Sequence, residues 1–478
     1  MSPKAKIESS ESRKFSASGA SIQSGESGLP SQHAPPVKAQ LEAQFPSKFE
    51  SWGRYPKLVS TLKPLHWVGE FPVRDAPTPQ LPVGLGRSYG DVCLLDGGTL
   101  LSTRGLDRLL AFDAQTGLLR CESGVSLAEI LNFAVPRGWF LPVTPGTKYV
   151  TVGGAIANDI HGKNHHVAGS FGNHVPQFEL IRSAGARLVC SATENPDWYA
   201  ATIGGMGLTG LISWAEVQLR PIVSRSIRYE GIRFHGVEEF LALSASGSRA
   251  EYTVAWIDCV SRGRNFARGI FMLGDHSPIP DTLHPTPEPR LSAPFDLPGW
   301  ALNRMAVRAF NGLYYRKQLR RHVSTLVDYE PFFYPLDKVL HWNRIYGKRG
   351  FLQFQCVLPF ASGREGMEEI LREIAASGLG SFLAVLKVMG DVPSPGRMSF
   401  PMPGITLALD IPIDRTATFP LFDRLAERTR AMGGRLYPAK DARMTAAQFQ
   451  SFYPQWREFA AYRDPALSSA FWERVTNG

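Results

Sequence analysis

A glycine-rich, polar stretch between Gly84 and Val175 constrains this 478-residue chain more than any other feature. It contains three loops: GLGRSYGD (Gly84–Asp91), PGTKYVTVGGAIANDIHGKNHH (Pro145–His166) and GSFGNHV (Gly169–Val175). The stretch is too dense in glycine and polar residues for an ordinary core segment, yet apolar strand-like runs pass through it. Because glycine has no side chain, such loops let the backbone approach a ligand closely. We therefore expect a ligand site built largely from backbone.

The composition is typical of a globular protein with a sizeable core. Hydrophobic residues make up 44% of the chain, and its length predicts two to three structural units. No apolar run approaches the roughly 18 residues of a membrane-spanning helix, and the N-terminus lacks a signal-peptide pattern. The five cysteines are widely spaced and form no CxxC pair, so neither a disulfide framework nor a zinc site is indicated. These features predict a cytoplasmic location.

The formal net charge is +9, and one region, between Trp300 and His322, comes close to a basic run. There, Phe310, Tyr314 and Tyr315 alternate with basic residues: Arg304, Arg308, Arg316, Lys317, Arg320 and Arg321. One interpretation is a solvated helix face over core aromatics. The other is attraction to an anionic membrane surface or to a phosphate-bearing substrate. We expect no nucleic-acid partner.

The pattern along the chain predicts four segments. They are a disordered N-terminal extension (1–35), a ligand-binding unit (36–222), a second unit (223–432) and a C-terminal segment (433–478). Within the ligand-binding unit, short apolar strands alternate with glycine turns, and one clear helix is capped by Ser126 and Glu129. The C-terminal segment continues into a helix that starts near Thr445.

The second unit has the pattern of an antiparallel sheet covered by helices, which defines an α+β class. Alternation with period two predicts strands at Tyr252–Asp258, Phe351–Leu358 and Ile405–Ile411. Helical spacing of apolar residues predicts helices at Gly366–Ala376 and Leu421–Met432. The proline-dense Pro278–Pro298 is predicted to be a mobile loop or lid.

The first glycine loop, Gly84–Asp91, can direct backbone N–H groups toward an anion. A simple hairpin turn is an equally good interpretation of these residues alone. The loop does not have the spacing of a Walker loop, and no GxGxxG pattern stands at a strand–helix junction. The sequence therefore disfavours the common nucleotide-binding folds.

The second loop begins with a turn at Pro145–Thr147 and continues into small residues, Val152–Ala157, against which a flat ligand could lie. Polar residues then crowd together: Asp159, His161, Lys163, Asn164, His165 and His166. A metal site is disfavoured, because Gly162 would break the helix needed to align His161 with His165. A cationic cluster beside a redox ring suits the residues better, since a reduced ring of this kind is stabilised by positive or donating neighbours.

These loops, together with GGMGLTG (Gly204–Gly210) and LYPAKDAR (Leu436–Arg443), resemble the FAD-dependent oxidases of the vanillyl-alcohol-oxidase/PCMH-type superfamily. Within that superfamily they are most similar to the decaprenylphosphoryl-β-D-ribose 2′-oxidase family. The resemblance runs from about Tyr55 to near the C-terminus. It implies an FAD-binding domain formed by residues 36–222 and 433–478, covered by an α+β substrate-binding domain at residues 223–432.

The resemblance also implies roles for individual residues. Those carried over to cofactor binding are Gly86, Arg87, Ser88, Tyr89, Pro145, Gly146, Thr147, Gly154, Ala157, Asn158, His161, Gly207, Tyr437 and Lys440. Those carried over to substrate binding are Lys163, Gln353, Gln355, Lys387 and Thr406. Catalysis is assigned to Lys440, His161 and Tyr89, without deciding which accepts the proton. From the residues alone, Lys440 would be an ordinary surface lysine after a short strand.

The implied reaction is oxidation of the 2′-hydroxyl of a polyprenyl-phosphoryl-β-D-ribose, the first half of epimerisation to an arabinose donor for cell-wall synthesis. It implies a quinone-type electron acceptor, a partner NAD(P)H-dependent short-chain reductase and peripheral association with the inner membrane. Two alternatives remain: a sugar-alcohol or lactone oxidase with a soluble substrate, and a catalytically silent scaffold.

The chain departs from the family pattern at three positions. Where many superfamily members carry a histidine that tethers FAD covalently, Ser88 stands here, so we predict non-covalent FAD. On the pocket strand, Ala408 replaces a cysteine and Thr406 replaces an asparagine of the mycobacterial oxidases. The second replacement puts the sugar contacts, and hence the particular pentose, in question.

Overall fold

The computed structural model describes residues 49–72, 79–280, 291–299 and 302–476. The predicted disordered extension at residues 1–35 lies outside these residues, as does the central part of the predicted lid at Pro278–Pro298.

The described strands, in chain order, are β1 Thr61–Pro64, β2 Gln80–Val83, β3 Thr99–Ser102, β4 Leu109–Phe112, β5 Leu118–Glu122, β6 Trp139–Phe140, β7 Gln177–Ile181, β8 Arg187–Ser191, β9 Leu211–Gln218, β10 Arg220–Pro221, β11 Ser226–His235, β12 Tyr252–Ile257, β13 Arg268–His276, β14 Leu291–Ser292, β15 His322–Asp328, β16 Val339–Leu340, β17 Phe351–Pro359, β18 Ala384–Met389, β19 Gly404–Pro412 and β20 Arg435–Leu436. The described α-helices are α1 Leu127–Ala134, α2 Val152–Ala157, α3 His165–Ala168, α4 Pro196–Thr202, α5 Gly236–Ser246, α6 Arg304–Lys317, α7 Tyr329–Phe333, α8 Phe360–Ser377, α9 Thr418–Ala431, α10 Ala446–Phe452, α11 Trp456–Ala460 and α12 Ala470–Thr476. No helix in these described ranges is both long and apolar enough to cross a bilayer.

The N-terminal part of the fold is built on two sheets, a three-stranded one (β1-β3-β2) and a five-stranded one (β4-β5-β9-β7-β8). The predicted capping box of α1 is confirmed: the Ser126 hydroxyl accepts from the Glu129 N–H, and the Glu129 carboxylate accepts from the Ser126 N–H. The sequence pattern predicts only this helix; the structure adds α2, α3 and α4. Helix α2 forms despite its two glycines because the Thr151 side chain caps the Gly154 N–H at 3.1 Å.

The second part of the fold is an eight-stranded antiparallel sheet in the order β15-β11-β13-β12-β18-β19-β17-β20. Register pairs Gln353 with Asp410, Gln355 with Ala408, and Lys387 with Thr406, so these side chains share one face. The opposite face carries the buried leucines and isoleucines that pack under α8 and α9. The α+β architecture is confirmed.

The predicted helix at Gly366–Ala376 is longer than the sequence indicates, because it starts at Phe360. Gly363 and Gly366 lower the helix propensity of its first turns. Both are buried, and a Cβ on Gly363 would lie 3.0 Å from the Ile405 side chain. Close packing on the sheet therefore outweighs the local preference.

The C-terminal segment returns to the first glycine loop. The Tyr89 N–H donates to the Ala439 carbonyl at 2.9 Å. The Arg474 guanidinium lies 2.8 Å from the buried Asp91 carboxylate and 3.0 Å from Asp441. We propose on this basis that residues 433–478 complete the unit formed by residues 36–222.

Candidate active site

A cavity of about 970 Å³ lies between the glycine loops and the face of the eight-stranded sheet that carries Gln353 and Gln355. Every residue assigned above to cofactor binding, substrate binding or catalysis lines it. These residues come from segments as far apart as Gly86 and Lys440, and the fold brings them together. Their individual roles remain predictions.

The first glycine loop forms one wall of the cavity and is held by backbone contacts. The Trp52 N–H donates to the Ser88 carbonyl at 2.8 Å. Gly86 has a φ of +61°, and a Cβ there would lie 2.9 Å from the Glu50 carbonyl. Only glycine suits both the conformation and the space at this position.

Arg87 lies within this wall as a buried cation. Its guanidinium carbon is 4.0 Å from the centre of the Trp52 ring, and its Nε donates to the Tyr149 carbonyl at 3.2 Å. Burial lowers the pKa of Arg87 to about 10, while the carboxylate of Asp337 opposes this shift. Arg87 therefore remains charged at neutral pH, which suits an anionic ligand.

His161 is held between the sheet and the second glycine loop. Lys387 Nζ lies 2.9 Å from His161 Nδ1 and donates to the Gly162 carbonyl at 2.7 Å. The side-chain amide of Gln355 lies 3.0 Å from His161 Nε2. Burial, reinforced by the charge of Lys387, lowers the pKa of His161 well below its usual value, so the imidazole is neutral.

Two lysines near His161 in the cavity have lowered pKa values. Burial, with Lys163 as a second cause, lowers the pKa of Lys387 to about 7. Burial alone lowers the pKa of Lys163 to about 8, and Lys163 Nζ donates to the Phe333 carbonyl at 3.2 Å. A cluster of this kind holds positive charge that depends on pH near neutrality.

Lys440 also lines the cavity and lies in the short turn Pro438–Lys440. Its Nζ is 3.8 Å from the centre of the Tyr89 ring. Burial lowers the pKa of Lys440 to about 7, although the nearby Asp410 carboxylate raises it. The structure therefore corrects the sequence-based view of Lys440 as an ordinary surface residue.

Asp410 is fully buried, and its charge interacts with that of Lys440. It was not recognised from the sequence as a site residue. Its Oδ1 accepts from Gln353 Nε2 at 2.5 Å. Burial raises the pKa of Asp410 to about 7, while Gln353 and Lys440 lower it. Its place on the Thr406–Ala408 strand face was the signal that could have revealed it.

Tyr437 packs behind His161. Its ring stacks on Phe400 with centroids 4.7 Å apart, and both rings lie 5.6 Å from the His161 ring. The Tyr437 hydroxyl donates to the Asn158 carbonyl at 2.7 Å. Trp52 and Phe400 were not recognised from the sequence, because nothing in their neighbourhoods distinguishes them from core aromatics.

The other polar residues of the second loop serve the local structure. Asp159 is buried and accepts from the Gly172 N–H at 2.9 Å, and His166 Nε2 lies 2.9 Å from the Ala250 carbonyl. His165 is buried, and burial lowers its pKa to about 3. Across the described ranges, no three His, Cys, Asp or Glu side chains are grouped as metal ligands.

The polar atoms of the cavity that lack hydrogen-bond partners suit FAD. The buried Asn158 Oδ1 and Ser123 Oγ line it without a hydrogen-bond partner among the described residues, beside the backbone of α2. A Cβ on Gly146 would meet no atom within 4 Å, so the backbone there is open to the cavity. Buried polar atoms need partners. Asn158 Oδ1 can only accept, and a flavin ring or its ribityl hydroxyls supply the N–H or O–H it needs, whereas Ser123 Oγ can donate to a phosphate oxygen.

Comparison with known proteins agrees with this geometry. Residues 73–191 match the family model of an FAD binding domain. The fold and the cavity thus define an FAD-dependent oxidoreductase. The chain is 38% identical over 396 residues to the decaprenylphosphoryl-β-D-ribose oxidase of Mycolicibacterium smegmatis, which covers 80% of this chain and 84% of that protein. It is 23% identical over 392 residues to the L-gulono-1,4-lactone dehydrogenase of Mycobacterium tuberculosis, covering 80% of this chain and 85% of that protein. The chain belongs to the decaprenylphosphoryl-β-D-ribose oxidase family.

We predict that FAD is bound without a covalent tether. Ser88 stands where many superfamily members carry the histidine that bonds to the flavin. Cys93 lines the cavity, but burial raises the pKa of its thiol to about 12, so the reactive thiolate does not form at neutral pH. Both ring nitrogens of His161 are engaged by Lys387 and Gln355. Acid precipitation of the yellow protein should release the flavin into the supernatant; a yellow pellet would contradict the prediction.

Proposed function

We propose that this protein oxidises the 2′-hydroxyl of a polyprenyl-phosphoryl-β-D-ribose to the 2′-keto sugar. The observation that carries the proposal is the convergence of Lys440 and the His161–Lys387–Gln355 cluster on one cavity of a chain in this family. When bound, FAD supplies the acceptor for the hydride from C2′, at N5 of its ring. The protein must then bind the sugar and take up the hydroxyl proton.

Lys440 is the best-supported proton acceptor of the three candidates. With a pKa lowered to about 7, a large fraction of Lys440 is neutral at pH 7 and can accept a proton. Burial raises the pKa of Tyr89 well above its usual value, so its phenol stays protonated and can only donate or orient. We assign proton uptake to Lys440, and orientation of the hydroxyl to His161 and Tyr89.

Lys387 determines the tautomer of His161. A protonated Lys387 donates to Nδ1, which therefore has no hydrogen, so Nε2 carries the N–H. The Gln355 atom that lies 3.0 Å from Nε2 is its amide nitrogen, so this tautomer requires the amide to turn over and present its oxygen to the Nε2–H. His161 is thus held as a neutral ring in a fixed orientation.

The sugar-binding wall is formed by the sheet. Gln353 and Gln355 lie on one strand face, and Thr406 Oγ1 is buried without a hydrogen-bond partner among the described residues. We assign these groups to the ribose hydroxyls. Lys163, with its positive charge, is assigned to the phosphate end of the substrate.

The rate of flavin reduction should rise with pH across neutrality. Protonated Lys440 cannot accept the hydroxyl proton, so activity is lost below its pKa of about 7 and regained above it. The measurement is the anaerobic rate of flavin reduction at limiting substrate between pH 5.5 and 8.5. We expect ~tenfold loss per pH unit on the acid limb. We also expect a decline on the alkaline side, as Lys387 and Lys163, whose pKa values are lowered to about 7 and about 8, lose the charges that orient His161 and bind the phosphate. A rate independent of pH across this range would exclude a titrating base.

The remaining partners follow from the chemistry. Turnover needs a second oxidant for the two electrons taken from the substrate, and we propose a quinone-type acceptor. The 2′-keto sugar must be reduced to complete epimerisation, and we propose an NAD(P)H-dependent short-chain reductase for that step, leading to an arabinose donor for the cell wall. A lipid-linked substrate implies work at the surface of the inner membrane.

Anaerobic mixing with candidate alcohols tests the proposal. A polyprenyl-phosphoryl ribose should bleach the flavin absorbance in a near-stoichiometric reaction. The second candidate is an oxidase of soluble sugar alcohols or lactones, and the observation that supports it is the similarity to a lactone dehydrogenase. Bleaching by free alditols or lactones, with none by the lipid-linked ribose, would establish that candidate instead. No bleaching by any alcohol would indicate a silent scaffold.

A further inference from the structure

The cavity does not end at the ribose-binding wall. It continues across the face of the eight-stranded sheet from Ala408 on β19 to Thr325 on β15. The five steps between these strands span roughly 24 Å at ~4.8 Å each. Beyond the polar cluster the wall is apolar, formed by Val385, Trp256, Val254, Ile270, Met272 and Val323. We call this part of the cavity the apolar channel.

Helix α6 covers the apolar channel. Tyr314 lies over Trp256 with ring centroids 4.6 Å apart, and Tyr315 is buried in the same cluster. Lys317 and Thr325 both line the cavity and are exposed to solvent. The channel therefore reaches the protein surface beside the C-terminal end of α6.

The outer side of α6 and the residues that follow it combine exposed apolar and basic side chains. This surface, called the α6 surface, consists of Met305, Arg308, Leu313, Arg316, Leu319 and Arg320. Met305, Leu313 and Leu319 are 81%, 69% and 82% exposed, respectively. Large exposed apolar side chains clustered on a helix and the residues that follow it are typical of an interaction site.

The charges of the α6 surface have no counterions among the described residues. Arg308, Arg316 and Arg320 form no ion pair with any described residue. The arginines of α9 differ, because Arg424 and Arg428 both pair with Glu373. A helix with exposed leucines between free arginines complements an anionic lipid surface, where leucine enters the acyl boundary and arginine contacts headgroups.

We propose that the α6 surface docks on an anionic bilayer, with the mouth of the apolar channel facing the lipid. The lipid tail of the substrate then passes from the bilayer into the channel, and the phosphoryl ribose reaches the polar cluster. The passage of the tail rests on the proposed function, whereas the docking does not. This arrangement explains why the cavity extends so far beyond the reacting groups.

Flotation of the FAD-loaded full chain with lipid vesicles tests the docking. Two variants remove the two components separately: Leu313→Ser with Leu319→Ser, and Arg316→Gln with Arg320→Gln. The matched control is Phe360→Ser with Arg415→Gln, which changes an exposed aromatic residue and an exposed arginine outside the α6 surface. Each variant's FAD absorbance and melting temperature report whether it is folded.

The wild type and the control should float with phosphatidylcholine vesicles that contain phosphatidylglycerol, and much less with phosphatidylcholine alone. Both α6 variants should lose about tenfold or more in partition, and salt should weaken binding of the leucine variant most, because only charge remains there. Absence of wild-type flotation, or equal flotation of the α6 variants and the control, would overturn the proposal. Either result would indicate that the α6 surface binds a protein partner instead of a bilayer.

Flavin reduction separates this proposal from the proposed function. A short-chain, detergent-soluble polyprenyl-phosphoryl ribose should reduce the flavin of the wild type and of both α6 variants at similar rates. The same sugar on a long chain embedded in anionic vesicles should react about tenfold more slowly with the variants. Flotation without any reduction would contradict the substrate and leave docking intact. If the wild type and the α6 variants reduced the flavin at equal rates with the vesicle-embedded substrate, the proposal that the channel mouth faces the lipid would be contradicted.

Discussion

Replacing Lys440 with alanine is expected to leave FAD bound and to slow its reduction by substrate by about 10²–10⁴-fold. FAD should remain because the first glycine loop is held by backbone contacts, such as Tyr89 N–H to the Ala439 carbonyl, which the substitution preserves. The rate should fall because the buried amine over the Tyr89 ring is the best-supported proton acceptor. Stopped-flow absorbance under anaerobic conditions measures the rate, and the flavin-to-protein absorbance ratio measures occupancy.

Lys348→Ala is the matched control, since Lys348 is exposed to solvent. The pH profile and rescue by added amines distinguish a role of Lys440 as the base from a role in positioning the substrate. If Lys440 accepts the proton, the acid limb of the pH profile should disappear in the alanine variant, and small primary amines should restore part of the rate. An unchanged rate with an unchanged pH profile would exclude Lys440 from proton uptake.

Replacing Arg474 with methionine is expected to destabilise the protein by about 3–5 kcal/mol, because two largely buried carboxylates lose their shared cation. The side chains of Asp91 and Asp441 are 4% and 9% exposed, and Arg474 lies within 3.0 Å of both. Asp91 ends the first glycine loop, and Asp441 follows Lys440. The substitution should therefore loosen both sides of the flavin site and release FAD at a lower temperature.

Thermal unfolding followed by flavin fluorescence measures this effect. The matched control is Arg443→Met, which removes a pair at 2.8 Å from Asp423, a carboxylate that is half exposed. Such surface pairs contribute about 0–1 kcal/mol, so the control should melt close to the wild type. Equal melting temperatures for the two variants would show that the Asp91–Arg474–Asp441 bridge does not hold the loop and the C-terminal segment together.

Local patterns predicted the parts of the fold that depend on local chemistry. The alternation in Phe351–Leu358 placed Gln353 and Gln355 on one face, where the structure has them beside Asp410 and His161. The α1 cap was recognised because Ser126 and Glu129 satisfy each other's backbone within one turn. These features need no knowledge of distant residues.

The rest of the site could not be derived from local pattern, because its contacts are long-range. Lys387 and His161 are separated by 226 positions, so only the fold, or the family resemblance, brings them together. Lys440 comes shortly after a two-residue strand whose sequence gives no signal, and its amine lies over the ring of Tyr89 in the distant first glycine loop. Helix α2 was missed because Gly153 and Gly154 oppose helix formation. In the structure Gly153 packs closely against Ser123, where a Cβ would lie 3.0 Å from the Ser123 side chain.

The most direct test of the central claim is a deuterium isotope effect on flavin reduction. The claim is that the C2′ hydrogen of a polyprenyl-phosphoryl ribose leaves with its electrons, while Lys440 takes the hydroxyl proton. Substrate deuterated at C2′ should therefore reduce the flavin more slowly than unlabelled substrate, with a normal primary effect. Substrate deuterated at C3′ should react at the unlabelled rate. An isotope effect from C3′, or no reduction by either substrate, would contradict the account.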